Sequence, residues 1–507
     1  MGYFNTMVLL PLIKHLECDA ERVAFFINGH SFFYRDLYRR ICAIRYYLKN
    51  TNIEDSIIGI VLHDNLDTYA AALSLWMDGK AYVPLHALHP MNRNKEIIRQ
   101  LGLSTIIDSA SESAYSGFNV INTGDIRMDD IVFLPIKEVP DSTLAYVLFT
   151  SGSTGVPKGV CITRGNLAAF MDSFWKTGIS ISPEDRCLQC FEMTFDVSIQ
   201  SFLTALTRGA CVYTVPYGQI KYVYAAKLIQ EQKITFGALA PSMLAYLRPY
   251  FREFDATHMR VCILTAEACP VDLLEDWSRC AVNADLYDFY GPTEATIYCT
   301  YYKLSKSGQN LSANGIVSIG KPLANVQAFI LDESGSILST GQKGELCVSG
   351  DQITPGYWNS PEKNNASFFY KEIDGVSYRL YHTGDLCYTD IDGNIMYLGR
   401  IDQQTKIQGY RVELSEIEFH AREFFHNERR VLAIAVKGEK GVGEIALYIE
   451  AHQEESKELL TYLRTRMPGY MIPSIIVYKP IFPLNDSDKI DRAKLKSELE
   501  LIWNDKK

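Results

Sequence analysis

The sequence predicts an α/β protein: a large N-terminal domain of helix-covered mixed sheets with a small β-barrel-like subdomain, followed by a small α/β C-terminal domain. Three observations carry this. From Ile57 to about Asn283, short β-rich runs alternate with longer stretches of helical period, the pattern of parallel strands covered by helices. After about Leu311, short alternating strands separated by Gly and Asp-Glu-Ser turns take over, the pattern of antiparallel pairing. From about Ile401 a second, shorter α/β alternation closes the chain.

Taken in order, "MVLLPLI" is short, is interrupted by Pro11 and lacks a basic leader. It reads as the start of a packed helix and not as a signal peptide. "IIGIVL", the helix-like "LDTYAAALSLWMDG" and "AYVPL" form the first strand–helix–strand run. "AYVLFT" from Ala145 is a buried strand that runs into a Gly- and hydroxyl-rich loop. "FDVSIQSFLTAL" opens a helix, and "ACVYTVP", "YVYAAKLIQEQ", "TFGALAP" and "VCILTAEA" continue the alternation. The stretch "SIGKPLANVQAFILDESGSILSTGQKGELCVSG" is the barrel-like segment. "LSEIEFHAREFF" is a helix and "VLAIAVK" and "EIALYIEA" are strands of the terminal unit. No long Pro/Ser-rich linker separates the parts, so any hinge between them is tight.

Composition narrows the function. The 507 residues suffice for two or more cored domains, and 47% hydrophobic with 22% charged residues is ordinary for a globular enzyme. A formal charge of -10 argues against a nucleic-acid binder that neutralises phosphates. No apolar run reaches the roughly 18 residues that cross a bilayer, so no membrane partner and a cytoplasmic location are expected. Of the 12 cysteines, Cys187 and Cys190 form one CxxC without a second pair or a nearby histidine. Buried apolar cysteines in a reducing compartment are the expected reading.

The loop "LFTSGSTGVPKGV", Leu148 to Val160, points to an anion. Glycines let backbone N–H groups converge on one point, hydroxyls add donors and Lys158 adds charge, so the expected ligand is a polyphosphate. It is not a Walker A loop, because GxxxxGK[ST] is absent. A plain turn with a surface lysine is the alternative. The string resembles the phosphate loop of the adenylate-forming enzymes: acyl-CoA synthetases, luciferases and the amino-acid-activating domains of nonribosomal peptide synthetases. "LSLWMDGKAYVPLHALHP" from Leu73, "FDVSIQSF" from Phe195, "YGPTEATI" from Tyr290, "GELCVSGDQITPGYW" from Gly344, "YHTGDL" from Tyr381, "GRIDQQTKIQGYRVELSEIE" from Gly399 and "NDSDKIDRAKL" from Asn485 follow the family's order over nearly the whole chain.

The resemblance implies ATP and Mg2+ as cofactors. It implies attack of a carboxylate on the α-phosphate to give an acyl-adenylate and pyrophosphate, then transfer to a thiol. By resemblance Thr150, Ser151, Gly152, Ser153, Thr154, Gly155 and Lys158 hold the β- and γ-phosphates. Thr293 contacts the α-phosphate and Glu294 holds the metal, while Glu267, Asp288, Phe289, Tyr290 and Gly291 belong to the nucleotide site, with Tyr290 stacking on adenine. Asp385 accepts from the ribose hydroxyls beside Arg400, a turn or helix cap being its alternative. Lys489 bridges the substrate carboxylate and the α-phosphate, although Asp488 replaces the usual glycine before it; a surface lysine is the other reading. Residues 1–400 form the adenylation core and 401–507 the small mobile domain, hinged at Asp402.

The acid is read from Asp196. In amino-acid-activating members this position pairs with the substrate ammonium; a helix N-cap is the alternative. By resemblance the side-chain pocket is Val197, Gln200, Ala238, Leu264, Ala266, Phe289, Ile297 and Tyr298, none charged, with Lys489 at the carboxylate end. A small or medium neutral amino acid is expected. No phosphopantetheine-attachment motif follows, so a separate carrier protein is expected to supply the thiol. D-alanine–carrier protein ligases also fit the length, but they place Cys where Thr265 stands. An acyl- or aryl-CoA ligase is the other enzymatic alternative, and Asp196 argues against it. A non-catalytic relative is disfavoured by intact Glu294, Asp385 and Lys489.

Overall fold

The computed structural model describes residues 2–128, 133–152, 155–305, 309–402, 404–438, 442–451, 456–483 and 490–504. The chain divides into two compact units. One comprises Met1–Ala87, Ile98–Phe149 and Gly159–Ile401; the other comprises Leu88–Ile97, Thr150–Lys158 and Asp402–Lys507.

The first unit holds two large sheets. The seven-stranded sheet runs Gly356–Tyr357, Lys158–Thr163, Leu144–Thr150, Ala81–His86, Ile57–Leu62, Thr105–Asp108, Asn119–Asn122. The nine-stranded sheet runs Lys321–Pro322, Thr300–Lys303, Asp285–Tyr290, Val261–Thr265, Phe236–Leu239, Arg186–Gln189, Cys211–Thr214, Val23–Ile27, His30–Phe33. Their central strands pair in parallel and are almost wholly buried, as strands covered on both faces must be. The antiparallel pairings lie toward the edges.

Two helices buried nearly all round fill the layer that these sheets share. Leu66–Met77 lies on Ile57–Leu62 and Ala81–His86, and Val197–Leu206 lies on Arg186–Gln189 and Cys211–Thr214. They meet through rings: Phe202 is 5.5 Å from Tyr69 and 6.4 Å from Trp76. A helix buried on every side has no solvent face to present, which is why "VSIQSFLTAL" carries no charge. This packing fixes the position of Asp196 at its start.

The barrel-like part is a five-stranded antiparallel sheet, organised by the 14-residue strand Val376–Thr389. One half pairs with Phe368–Ile373, the other with Ile395–Arg400, and Gly344–Gly350 lies on its other edge. The expected segment differs in one place: Lys321–Pro322 joins the nine-stranded sheet. Beyond its end, Gly356–Tyr357 joins the seven-stranded one, so the barrel is stitched to both sheets; two-residue pairings leave no periodicity to read.

In the second unit, Gln404–Ile407 and Tyr410–Glu413 form a hairpin turned by Gln408 and Gly409 at φ 51 and 83, the primed-turn geometry in which glycine meets no steric penalty. Helix Leu414–Phe424 follows. Strands Val431–Lys437, Gly443–Glu450 and Ile475–Lys479 form a sheet whose core includes Leu432, Ile434, Tyr448, Phe482 and Leu495. No helix among the described residues is long and apolar enough to cross a membrane. Cys187 and Cys190 are buried, and desolvation pushes the Cys190 thiol up to about 12.

Candidate active site

The site in the first unit lies where strands end. Ala238, Leu264, Asp288 and Phe289 sit on neighbouring parallel strands, with Leu264 paired to Asp288 and Thr265 to Phe289, and the carboxyl ends of such strands are where open α/β sheets place ligands. Ala266 leaves its strand at φ 69; Thr296 and Ile297 follow the single turn Thr293–Ala295 at φ 55 and 75. Left-handed backbone at β-branched residues stores about 1–3 kcal/mol each and persists only when surroundings enforce it. Gln352 does so here, donating to the Tyr298 carbonyl at 2.7 Å and accepting the Thr296 hydroxyl on its own carbonyl at 2.6 Å. Gly291 is required by the same fold-back: a Cβ there would stand 2.5 Å from the Ile297 carbonyl oxygen.

Asp196 stands at the N-cap position of helix Val197–Leu206 but makes no capping hydrogen bond. It is 7% exposed and its Oδ2 has no hydrogen-bond partner. Burial, then the Glu294 charge, push its carboxyl up to about 6, against smaller opposing hydrogen bonds from the Ile297 amide and the Thr293 hydroxyl. Among the described residues no cation is paired with this carboxylate. Glu294 itself is fully buried and accepts the Tyr357 hydroxyl at 2.8 Å.

Of the residues expected to line the side-chain pocket, Val197, Gln200, Ala238, Leu264, Phe289, Ile297 and Tyr298 are all buried. The Phe289 and Tyr298 rings are 4.9 Å apart, and the Tyr298 hydroxyl faces Gln200 Oε1 at 3.5 Å; burial pushes that phenol up. Asp385 is buried where its strand pairs with Ile395–Arg400. One carboxylate oxygen accepts the Tyr290 hydroxyl and the other accepts Arg400 Nη1 at 3.0 Å. Arg400 also holds the Thr383 carbonyl at 2.7 Å. Glu267 accepts the Ser242 amide at 2.7 Å, at the first turn of helix Pro241–Leu247.

The Gly-rich loop joins two neighbouring strands of one sheet, unlike a strand-to-helix phosphate loop. In the second unit its Gly152 amide donates to Glu416 Oε2 at 3.0 Å, and Glu416 Oε1 accepts Arg93 Nη1 at 2.9 Å. Ser151 Oγ donates to the Arg411 carbonyl and accepts the Glu413 amide at 3.1 and 3.2 Å. Gly155 sits at φ 75 against the Phe419 ring, where a Cβ would come within 2.2 Å. Lys158 begins the strand after the loop, and Asp402 accepts the Gln404 amide at 3.0 Å. Ser153, Thr154 and Lys489 lie outside the described residues. Sequence reasoning misses Tyr357, Glu416 and Arg93; the first two lie inside the matching motifs, but their roles depend on partners remote in the chain.

A cluster of buried, mostly apolar side chains, one unpartnered carboxylate oxygen, a second buried carboxylate beside it and a Tyr–Asp–Arg cluster gather at the strand ends of a two-sheet α/β fold. Residues 14–358 match the family described as AMP-binding enzyme. The chain belongs to that family of adenylate-forming enzymes. It is 30% identical over 492 residues to tyrocidine synthase 1 of Brevibacillus parabrevis, a match that covers 95% of this chain and 44% of that synthase. The chain thus spans less than half the length of that relative. It superposes on the Vibrio cholerae adenylation domain AlmE in complex with glycyl-adenosine-5'-phosphate with a TM-score of 0.84 at 23% identity, covering 97% of each chain. It also superposes on NpsA-ThdA, an artificially fused adenylation–PCP di-domain from Klebsiella oxytoca, with a TM-score of 0.81 at 22% identity over 98% of this chain and 97% of that one.

Proposed function

We propose that the protein activates a small or medium neutral α-amino acid with ATP, releases pyrophosphate, and passes the aminoacyl group to the phosphopantetheine thiol of a separate carrier protein. The observation that carries this reading is Asp196, a buried carboxylate with an oxygen lacking a partner, beside Glu294 and the uncharged side chains of the proposed substrate site. A substrate ammonium supplies the missing cation. The pairing offsets the desolvation that holds the carboxyl near neutrality, so Asp196 is ionised when substrate is bound. Phe289 and Tyr298 fill the pocket's volume, which favours a small side chain.

A carboxylate oxygen of the amino acid forms a bond to the α-phosphorus while the bond to the pyrophosphate oxygen breaks. Such transfers are mainly positioning plus charge stabilisation. In the proposed roles Asp385, held by Tyr290 and Arg400, accepts from the ribose hydroxyls, and Thr293 and the Gly-rich loop hold phosphates. Buried Glu294 fits a hard cation: it is an oxygen donor whose charge already raises Asp196. Mg2+ bound there supplies neutralisation of phosphate charge. Residues 401–507 are proposed to rotate at Asp402, one orientation presenting Lys489 to the two approaching anions. The carrier-protein step draws support from the adenylation–PCP fold relative.

The test is pyrophosphate exchange into ATP with a panel of L- and D-amino acids and the matching carboxylic acids that lack the amino group. Exchange is expected with a few small neutral amino acids, only with Mg2+. Exchange supported by fatty or aryl acids and by no amino acid overturns the reading.

A further inference from the structure

The barrel-like sheet carries a donor cluster that adenylation does not use. We propose that Glu345, Cys347 and His382 form a binding site for a thiophilic divalent cation of the zinc class, distinct from the oxygen-donor site at Glu294.

The strands build it. Glu345 and Cys347 are two residues apart on Gly344–Gly350, and Cys347 pairs directly with His382 on the neighbouring strand. The register shifts between Glu345 and Cys347, and a bulge of this kind re-aims side chains. The donor atoms of the three residues all lie within 4.8 Å of one another. His382 Nδ1 is 2.8 Å from Glu345 Oε2 and 3.7 Å from Cys347 Sγ.

These separations suit tetrahedral zinc. With Zn–S about 2.3 Å and Zn–N about 2.0–2.1 Å, sulfur and nitrogen on one ion stand roughly 3.6 Å apart, close to the 3.7 Å observed. Nitrogen and carboxylate oxygen need roughly 3.3 Å, so Glu345 has only to withdraw by about half an ångström as the ion replaces the shared proton. The imidazole then carries its proton on Nε2, Nδ1 donates its lone pair, and the thiol proton leaves to solvent. Cys347 is buried, but the His382 side chain is 40% exposed and that of Glu345 23%, which leaves a fourth position for water. Three protein ligands and one open position is a common zinc arrangement.

The surroundings hold the donors in place. Glu345 Oε1 accepts the Gly384 amide at 2.8 Å, and Phe369 stacks on the His382 ring with centroids 4.3 Å apart. Partners of this kind orient ligands and raise affinity. A sulfur donor selects against Mg2+, so the site does not compete for the cation of the adenylation reaction. Gly384 directly precedes Asp385, which makes the loaded site a brace for the strand that carries the proposed ribose ligand.

The test uses the full chain without nucleotide, stripped of metal and kept in excess Mg2+, titrated with Co2+. The expected result is one equivalent bound with a thiolate-to-cobalt charge-transfer absorption, displaced by Zn2+. Cys347→Ser abolishes that absorption, and His382→Gln raises the Kd more than about a hundredfold, beyond the usual effect of losing a supporting partner. No thiolate absorption in the unsubstituted chain overturns the proposal, as does its survival in Cys347→Ser. Should Cys347→Ser fail to fold, an unchanged Kd in His382→Gln, at a half-exposed position, overturns it equally.

Discussion

Asp196 has a measurable signature before any substrate is added. Its carboxyl is pushed up to about 6 in the folded chain from an ordinary 3.8. The folded state therefore binds more protons than the unfolded one between about pH 4 and pH 6, and stability falls as pH rises through that window. Above pH 6 the ionised group costs about 3 kcal/mol, a cost that Asn at this position does not carry. Asp196→Asn is thus expected to melt higher than the parent at pH 7.5, with the difference closing near pH 4; thermal denaturation across pH measures it. A helix cap predicts the opposite sign, about 1 kcal/mol lost at pH 7.5. At Glu294, Tyr357→Phe removes the phenol that orients the carboxylate. The Mg2+ concentration for half-maximal exchange is expected to rise about tenfold, whereas an unchanged value assigns Tyr357 to packing alone.

At the scale of elements, the Gly-rich loop holds a carboxylate of its own chain. The Gly152 amide donates to the Glu416 carboxylate, with the buried Arg93 on its other oxygen. In the role proposed for the loop, ATP phosphates and Glu416 compete for the same donor. Glu416→Gln removes the charge, weakens the hold on the loop and is expected to lower the KM for ATP about tenfold in exchange at saturating amino acid, because losing one partner of a buried pair costs roughly 3–5 kcal/mol, part of which the phosphates no longer have to overcome. A KM that rises instead shows that Glu416 supports the nucleotide. Strand and helix periodicity makes the flanking elements legible: "AYVLFT" reads as a buried strand and is Leu144–Thr150, and "FDVSIQSFLTAL" reads as a helix start and is Val197–Leu206. The Glu416 contact is not legible, since it joins residues 264 positions apart and no local pattern encodes it. The same holds for Gly356–Tyr357, whose pairing partner lies near Val160.

At the scale of the molecule, helix-covered sheets are readable from alternation, their division into two sheets is not, and the ordered motifs point to the chemistry. What the sequence lacks is the layer between the sheets, where two helices meet through Tyr69, Trp76 and Phe202 and place Asp196 beside Glu294. The carboxylates are 98 residues apart in number, from 196 to 294, and their mutual repulsion exists only in the fold. The central claim is that this buried, uncompensated Asp196 selects an amino acid. Its direct test is kcat/KM for the preferred amino acid and for the same acid without its amino group, in the parent and in Asp196→Asn, by pyrophosphate exchange. Losing the counter-ion of a buried ammonium costs roughly 3–5 kcal/mol, so kcat/KM for the amino acid should fall at least about a hundredfold, the KM for ATP should hold, and the acid lacking the amino group should be used relatively better by the Asn variant. An amino-acid kcat/KM within a few-fold of the parent, with the two acids ranked as before, contradicts the claim.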